Sequence, residues 1–326
     1  MIAKHQNRED MNSFFKILDK ILFKDDNFGL ALYTDESLSF DNILDKKLVY
    51  DRKIGNAWVP KTLMVQADPF LFVHTDTLYL FYESMKSGGK GYLTMTKTDN
   101  LKQWTEPIIV LEEPWHLSFP FVFEMMGDVY MIPESQAIDE IRLYKANETL
   151  TKFHFVKTLL HQEHSNNIVY NYSDSHLFLH NGYYYLFTSV YYKWDYHLEL
   201  YFTDDLLLHP FKKHPMSPVH VGNEFGRSGG RILQTPYGLF RVSQDCKFSY
   251  GGNISLIRIN QLSPQNYSEE IYIKNAFQIN NKKKFDGGHQ LDIAYFKGKF
   301  VYATDYRQQK WCWYQRYKTF ENYFCK

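Results

Sequence analysis

A pattern of two short apolar strands joined by a tight turn recurs five times in this chain and constrains its fold more than any other feature. Successive copies start about 50 to 60 residues apart. Most of the turns contain Gly, Asp or Asn, which tight hairpin turns favour. The first strands begin at Asp68, Phe119, Asp174, Gly230 and His289. Short strands repeated at this period predict an all-β fold, specifically a five-bladed β-propeller.

Further strand pairs lie between the hairpins and bring each repeat to four strands. For example, DEIRLYKA is followed by KFHFVKTLL, and HLELYFTDD is followed by PFKKHPMSPV. We expect the segment FGLALYT, which precedes the first repeat, to supply the missing outer strand of the last blade. Such a strand would close the ring and remove exposed sheet edges. No Gly/Ser-rich or Pro-rich linker interrupts the chain, so residues 27–326 are predicted to form one propeller.

The first 26 residues are predicted to form a helical extension that packs on the propeller or makes an interfacial or dimer contact. Apolar side chains recur at helical spacing on one face of this segment, at Phe14, Leu18, Ile21 and Leu22. The segment has no signal-peptide pattern, and the chain contains no run of 18 apolar residues. We therefore expect a cytoplasmic protein without an integral membrane segment.

The second strand of each hairpin ends on a polar residue. These residues are Glu83, Glu134, Ser189, Asp245 and Asp305. In antiparallel hairpins this end lies beside the start of the first strand, so the acids are expected to converge at one mouth of the central channel. Mutual repulsion would raise the pKa of at least one carboxyl group, as a general acid requires. Alternatively, the acids bind turn amides and basic groups of neighbouring blades.

Composition excludes several classes of function. Lys plus Arg and Asp plus Glu both number 37, so no basic excess favours binding to nucleic acid. The three cysteines, Cys246, Cys312 and Cys325, have no CxxC spacing and are interpreted as reduced structural thiols. Aromatic residues make up 18% of the chain, and their rings favour strands and offer faces to sugar rings.

Several motifs together resemble a known family. They are ADPFLF, HLSFPFVFE with MIPES, EIRLYKA, GRSGGRIL, RVSQDCKFSYGG and GGHQLD. These segments, roughly from Phe28 to Arg307, resemble the N-terminal domain of glucosamine inositolphosphorylceramide transferases and its bacterial stand-alone relatives. That domain is similar to the five-bladed propellers of arabinanase, xylosidase and fructosidase glycosidases.

The resemblance implies roles for several residues. In the glycosidases an Asp at the start of the first blade is the base or nucleophile, which matches Asp68. A second Asp orients and tunes the pKa of the site, which matches Asp174. The acid is a Glu, for which Glu134 in IPES is the candidate and Asp245 in SQDC the alternative. Some of these glycosidases hold calcium or water near the channel axis with a histidine of the last blade, a part that His289 would take.

The remaining candidates are expected to bind substrate. Arg227 and Arg231 in GRSGGRI would clamp an anionic group through bidentate hydrogen bonds, or alternatively form salt bridges between blades. The full set predicted to bind substrate is Glu83, His116, Ser118, Arg227, Arg231, Gln244, Asp245, Tyr250 and His289. Paired carboxyl groups in an aromatic mouth suit acid–base chemistry at an anomeric carbon.

Two functions follow as hypotheses. The first is a glycan-active enzyme, glycoside hydrolase-like or a glycosyltransferase, that cleaves or transfers a glycosyl unit in the synthesis or processing of surface polysaccharide or glycolipid. Asp68, Glu134 and Asp174 would be its catalytic residues, with a sugar-containing substrate and no required cofactor. The alternative is a non-catalytic propeller that binds glycans and assists a partner glycosyltransferase.

Overall fold

Strands make up nearly all the regular structure of the part of the chain that the computed structural model describes, residues 25–52, 63–86, 89–161, 171–279 and 286–310. Within these ranges the helices are two short 3-10 turns, at Ile43–Asp45 and Gln136–Ile138. None of the helices in the described ranges is long and apolar enough to cross a membrane. The predicted N-terminal helix lies outside the described residues, and the first strand begins at Asp25.

The strands follow one another in hairpin groups. The first eleven are β1 (Asp25–Asp35), β2 (Lys47–Arg52), β3 (Leu63–His74), β4 (Thr77–Lys86), β5 (Gly91–Thr98), β6 (Ile108–Leu111), β7 (Ser118–Met125), β8 (Asp128–Glu134), β9 (Glu140–Ala146), β10 (Phe153–His161) and β11 (Tyr172–His180). The others are β12 (Tyr183–Tyr192), β13 (Asp195–Thr203), β14 (Lys212–Lys213), β15 (His220–Val221), β16 (Arg227–Ser228), β17 (Leu233–Thr235), β18 (Gly238–Asp245), β19 (Asn253–Leu262), β20 (Tyr267–Ile273), β21 (Leu291–Phe296) and β22 (Lys299–Lys310).

These strands form four hydrogen-bonded sheets. One sheet has the order β10-β9-β8-β7, a second contains β11 to β15, and a third contains β16 to β20. The largest sheet has eight strands, in the order β21-β22-β1-β3-β4-β5-β6 with β2 beside β1. A single parallel pair, Phe28 with Val65, joins its two antiparallel halves, so the sheet divides at that point into β21-β22-β1-β2 and β3-β4-β5-β6.

The segment FGLALYT lies in the sheet, but not at its outer edge. As part of β1 it pairs along its full length with β22, and β2 covers its other side. The predicted outer strand is therefore the third strand of its group, and Lys47–Arg52 provides the fourth. The side chains of Leu30 and Leu32 in this strand are buried in an apolar cluster on the face of the sheet.

Apolar clusters fill the spaces between consecutive hairpin groups, and another cluster joins the last group to the first. Each brings together side chains from two neighbouring groups. Representative pairs in chain order are Phe81 with Met131, Ile132 with Leu186, Phe187 with Ile259, Val242 with Tyr302, and Val301 with Leu80. Because burial of apolar area is the main favourable term in folding, these contacts hold neighbouring sheets face to face.

The first strands of three hairpins are interrupted at equivalent positions. Asp68, Phe119 and Asp174 have φ angles of 54°, 46° and 51°, in the left-handed region that non-glycine residues rarely adopt. The strand register shifts at each of these positions, as in a β-bulge. In the fourth repeat Gly230 has φ 149°, and a Cβ there would lie 2.3 Å from the carbonyl oxygen of Leu291. Bulges re-aim side chains and are frequent beside functional sites.

Candidate functional site

The interrupted strand starts bring polar side chains of consecutive hairpins into contact. One Asp68 carboxylate oxygen accepts a hydrogen bond from the backbone N–H of Phe119 at 3.1 Å. The carboxyl group of Glu134 accepts one from the backbone N–H of Asp174 at 3.0 Å. All four residues are buried. The predicted convergence of the strand ends is therefore present between the first three hairpins.

The same arrangement continues around the molecule. The hydroxyl oxygen of Ser189 accepts from the backbone N–H of Ser228 at 3.0 Å. Asp305 accepts from the backbone N–H groups of Asp68 at 3.2 Å and of His289 at 2.7 Å. Polar ends of second strands thus bind backbone amides of first strands, which is the alternative that the sequence left open for these acids.

His289 lies between two carboxylates. Its Nδ1 is 2.7 Å from Oδ2 of Asp305, and its Nε2 is 3.2 Å from Oδ1 of Asp68. Burial alone would lower the pKa of His289, but the two carboxylates raise it well above its ordinary value. Burial would likewise raise the pKa of Asp68, and the contact with His289 together with the Phe119 N–H holds it below the ordinary value. These shifts favour an imidazolium paired with two carboxylates as the form of this buried group.

These three side chains also test the expected calcium ion. Asp68, His289 and Asp305 offer three ligand atoms within 4.8 Å of one another. Calcium, however, takes six to eight oxygen ligands, and both ring nitrogens of His289 already face carboxylates. A protonated ring, which the raised pKa of His289 favours, would supply the positive charge that a cation would otherwise bring. The donor set therefore fits an ion-paired histidine better than the calcium ion that the resemblance implies near His289.

Arg227 neutralises the neighbouring acids. Its Nε donates to the carboxylate of Asp174 at 2.5 Å, and its Nη2 lies 3.9 Å from the carboxyl group of Glu134. Its Nη1 donates to the hydroxyl of Tyr196 at 2.9 Å, and its guanidinium lies 4.9 Å from the ring centre of Tyr250. The side chain is 11% exposed. Arg227 is thus part of the site, but its N–H groups face side chains of the protein itself.

Gln244 and Ser118 complete the contacts around the same acids. The side-chain amide of Gln244 donates to Asp174 at 3.0 Å and to the carbonyl of Ser228. Ser118 is buried and lies opposite Glu134 in the β7–β8 pairing. Both predicted residues are therefore within the site.

Asp245 has a different role from the other predicted acids. Its carboxylate accepts from the backbone N–H of Lys247 at 2.9 Å, and its carbonyl accepts from Gly252. It closes the loop between β18 and β19. That loop carries Tyr250, whose ring centre is 5.2 Å from that of His289. Asp245 therefore shapes the loop that carries Tyr250, and these contacts are with backbone groups of that loop, not with the other acids.

Glu83 is the acid with the fewest hydrogen bonds. Its side chain is 8% exposed, and Nε2 of His116 lies 3.4 Å from its Oε1. Within the described residues no hydrogen bond to this carboxyl group meets normal geometry. Burial is the main reason that the pKa of Glu83 is raised well above its ordinary value, and the charges of Asp68 and Glu134 add to it.

Glu134 is also protonated more readily than an ordinary glutamate. Burial raises its pKa from 4.5 to about 8, and the neighbouring carboxylate of Asp174 acts in the same direction, while Arg227 opposes it. We use the name mouth cluster for Asp68, Glu83, Glu134, Asp174, His289 and Asp305. The mouth cluster contains one carboxyl group with a lowered pKa, that of Asp68, and two with raised pKa values.

Arg231 lies apart from the mouth cluster. Its guanidinium donates to both carboxylate oxygens of Asp292, at 2.8 and 3.0 Å, and to the carbonyl of Leu71 at 2.9 Å. It also lies over the rings of Phe70 and Phe121. Arg231 joins β3 and β21 across the interior, and a substrate-binding role for it stays a prediction.

Two residues of the site were not selected from the sequence. The sequence indicates that Asp305 ends a strand, but no feature of the sequence indicates its contact with His289. Tyr196 comes from the β12–β13 hairpin, and its ring centre lies 5.2 Å from the guanidinium of Arg227.

A cavity of about 730 Å³ lies away from the mouth cluster. It is lined by residues that include His74, Gly127 and Lys145, and none of the predicted site residues lines it.

Solved structures with a similar fold are glycoside hydrolases. A Bombyx mori family 32 β-fructofuranosidase matches with a TM-score of 0.54 at 11% identity, over 76% of this chain and 57% of that one. A family 117 glycoside hydrolase from Zobellia galactanivorans matches with a TM-score of 0.53 at 11% identity, over 88% and 91%. A thermostable family-43 glycoside hydrolase matches with a TM-score of 0.50 at 13% identity, over 70% and 80%. At these identities the likeness shows an all-β fold of the propeller-glycosidase type.

Curated relatives are plant proteins named glucosamine inositolphosphorylceramide transferase 1. The Arabidopsis thaliana protein is 32% identical over 262 residues, which are 77% of this chain and 33% of that protein. The protein of Oryza sativa subsp. japonica is 32% identical over 211 residues, 62% of this chain and 27% of that protein. This chain therefore spans about a third or less of the length of these relatives. The family model for the N-terminal region of glucosamine inositolphosphorylceramide transferase 1 matches residues 53–305, so the chain belongs to that family.

Proposed function

We propose that this chain is a glycan-active enzyme module that cleaves or transfers a glycosyl unit in the mouth cluster. The observation that carries the proposal is the opposite shift of neighbouring carboxyl groups: the pKa of Asp68 is lowered, whereas those of Glu83 and Glu134 are raised. Pairs of acids whose pKa values are shifted in opposite directions suit separate base and acid roles. Glycosyl transfer needs both roles at one anomeric carbon.

The chemistry can be written as a direct displacement. An acidic carboxyl group gives its proton to the glycosidic oxygen, and the electron pair of the breaking bond stays on that oxygen. A water or acceptor hydroxyl forms the new bond to the anomeric carbon and loses its proton to Asp68. Arg227, held by Asp174, keeps positive charge beside the cluster throughout.

The proposed architecture is a five-bladed ring around this site. Support comes from the five apolar clusters that join consecutive hairpin groups and the last group to the first. The eight-stranded sheet would then count as two blades that touch at the Phe28–Val65 pair. In such a ring the mouth cluster would stand at one end of the central channel.

The names of the relatives suggest the substrate class. These names combine the words glucosamine and inositolphosphorylceramide. We therefore propose a sugar-containing glycolipid or surface polysaccharide as the substrate of this chain. A partner glycosyltransferase is part of the same proposal. The expected cytoplasmic location remains part of this proposal.

The second candidate is a glycan-binding module without catalysis. It is favoured by the hydrogen bonds of Glu134 and Asp305 to backbone amides, and by the ion pair of Asp174 with Arg227. Acids used in this way hold the fold together and need not react.

A screen of glycosides and nucleotide sugars distinguishes the two. Binding and products would be measured for the wild type and for a protein carrying Asp68→Asn and Glu134→Gln. The enzyme proposal expects turnover by the wild type only, with sugar binding kept in both proteins. Binding without products in either protein would favour the module, and equal turnover in both would overturn the catalytic assignment.

A further inference from the structure

Glu83 stands out among the buried acids because its carboxyl group has so little to bind. Glu83 is 6% exposed. Its polar contact in the described part of the chain is with His116, whose Nε2 lies 3.4 Å from Oε1 of Glu83. Glu134, by contrast, accepts the backbone N–H of Asp174 and lies near Arg227. A carboxyl group that is mostly buried and has only this weak polar contact in the described residues is costly, so its retention calls for a reason.

The contacts of His116 determine which of its ring nitrogens carries the proton. The backbone N–H of Gly91 donates to Nδ1 at 2.9 Å, so Nδ1 is an acceptor. The proton of the neutral ring is then on Nε2, the nitrogen that faces Glu83. Burial lowers the pKa of His116, which favours this neutral form. His116 is also 43% exposed, so the pair is within reach of solvent.

Gly91 makes room for this pair. A Cβ at this position would lie 2.7 Å from Oε1 of Glu83, 2.7 Å from Cε1 of His116 and 2.4 Å from the carbonyl oxygen of Leu117. Real Cβ contacts are not this short, so any larger residue would displace the pair. The glycine therefore both supplies the N–H that orients His116 and leaves the space in which the carboxyl group lies.

We propose that Glu83 is the proton donor of the mouth cluster and that His116 is the residue that positions it. The proposal rests on the proposed function and assigns its acid to Glu83 in place of Glu134. In the reaction the Glu83 carboxyl proton passes to the glycosidic oxygen, the C–O bond breaks with its electron pair on that oxygen, and Glu83 is left as a carboxylate. The His116 Nε2–H then faces the new negative charge.

The charges around Glu83 support this role. Burial and the carboxyl groups of Asp68, Glu134 and Asp305 raise its pKa, and only His289 acts in the opposite direction. The raised pKa favours the protonated form of the carboxyl group, which is the form that a proton donor needs. The pKa of Asp68, whose charge acts on Glu83, is held below its ordinary value by His289, which favours the ionised form that the partner role requires.

Kinetics on two kinds of glycoside test the assignment. An acid is needed for an alkyl glycoside, whose leaving group is poor, and much less for a 2,4-dinitrophenyl glycoside, whose leaving group departs unprotonated. We expect Glu83→Gln to lower kcat on the alkyl substrate by about a hundredfold or more, and to lower kcat on the aryl substrate by less than about tenfold. The same contrast in Glu134→Gln, with Glu83→Gln behaving as wild type, would overturn the inference and leave the proposed function standing.

The positioning role of His116 has its own readout. We expect His116→Ala to move the alkaline limit of the kcat/KM profile, and His116→Gln, whose amide N–H can replace Nε2–H, to restore it. An unchanged profile in His116→Ala would contradict the role.

A titration without substrate separates the two proposals. In wild-type protein labelled with ¹³C at the glutamate carboxyl groups, the resonance that is missing from Glu83→Gln belongs to Glu83. Its chemical shift at neutral pH should be that of a protonated carboxyl group. An ionised group there would overturn the inference whatever the enzyme does. A protonated Glu83 in a protein that turns over no glycoside would instead refute the proposed function, and with it the donor role.

Discussion

The carboxyl group of Glu134 accepts a hydrogen bond from the backbone N–H of Asp174 at 3.0 Å, so the end of one hairpin binds the start of the next. Ser189 and Asp305 make the corresponding contacts in other parts of the molecule. The polar strand ends therefore serve the fold as well as the site. Substitutions there should affect stability and activity separately, and each can be measured.

Glu134 should contribute to stability through its hydrogen bond to Asp174. Removing one partner of a buried hydrogen bond costs about 1–3 kcal/mol, so we expect Glu134→Ala to lower the free energy of unfolding in urea by that amount. Glu134→Gln keeps an acceptor oxygen and should lose less. Glu124→Ala, in β7 with a half-exposed side chain, is the control. Equal losses in Glu134→Ala and Glu124→Ala would mean that the hydrogen bond contributes little.

Glu134 should contribute a decrease in stability as pH rises from about 4.5 to about 8. The pKa of Glu134 is raised in the folded state to about 8, so across this range the folded protein binds a proton that the unfolded chain has lost. Stability therefore falls with pH in that window. Glu83 and His289, whose pKa values are also raised, act in the same direction. His176 acts in the opposite direction below about pH 6.5, because burial lowers its pKa to about 3, so the fall should be steepest between about 6.5 and 8. Urea unfolding at several pH values should show this slope, and Glu134→Gln should make it shallower; an unchanged slope would contradict the assignment.

Arg231 should be more important for folding than for the chemistry. Replacing it with Met leaves the buried carboxylate of Asp292 without its cation, and breaking such a pair costs about 3 kcal/mol. We expect Arg231→Met to lower the unfolding free energy by about that amount. Lys145→Met removes an exposed partner of Asp128 and should cost less than about 1 kcal/mol. A stable Arg231→Met protein with weakened sugar binding would favour the substrate role instead.

Calcium should not stabilise the protein at neutral pH if the ring of His289 is protonated between Asp68 and Asp305. Thermal unfolding with millimolar calcium and with a chelator should give the same Tm. The matched variant is His289→Asn, which leaves two buried carboxylates without the imidazolium and should itself lower Tm. A rise in Tm with calcium in the wild type that disappears in His289→Asn would show that a cation replaces the proton.

Repetition made much of the fold predictable from the sequence. The positions of Asp68, Phe119 and Asp174 in equivalent hairpins led to their expected proximity, and their left-handed backbone confirms that they are equivalent. The resemblance likewise pointed to the family that the comparisons show. Both inferences depend on short motifs, which can be read directly from the order of neighbouring residues in the sequence.

Contacts between distant segments were harder to predict. Arg227 and Arg231 are four residues apart in one motif, yet the first meets Asp174 and the second meets Asp292. Gly230 lies between them with a φ of 149°, a positive angle that favours glycine. The near-absence of partners around Glu83 also depends on three-dimensional burial, because the sequence shows only that a carboxyl group is present.

The most direct test of the proposed chemistry compares Asp68→Asn with the wild type for both kcat and sugar affinity on one glycoside. Asp76→Asn, at the exposed turn of the same hairpin, is the matched control. The proposed function predicts that Asp68→Asn loses at least about a hundredfold in kcat while its sugar affinity and the control's activity stay near those of the wild type. An Asp68→Asn protein with wild-type kcat would contradict it.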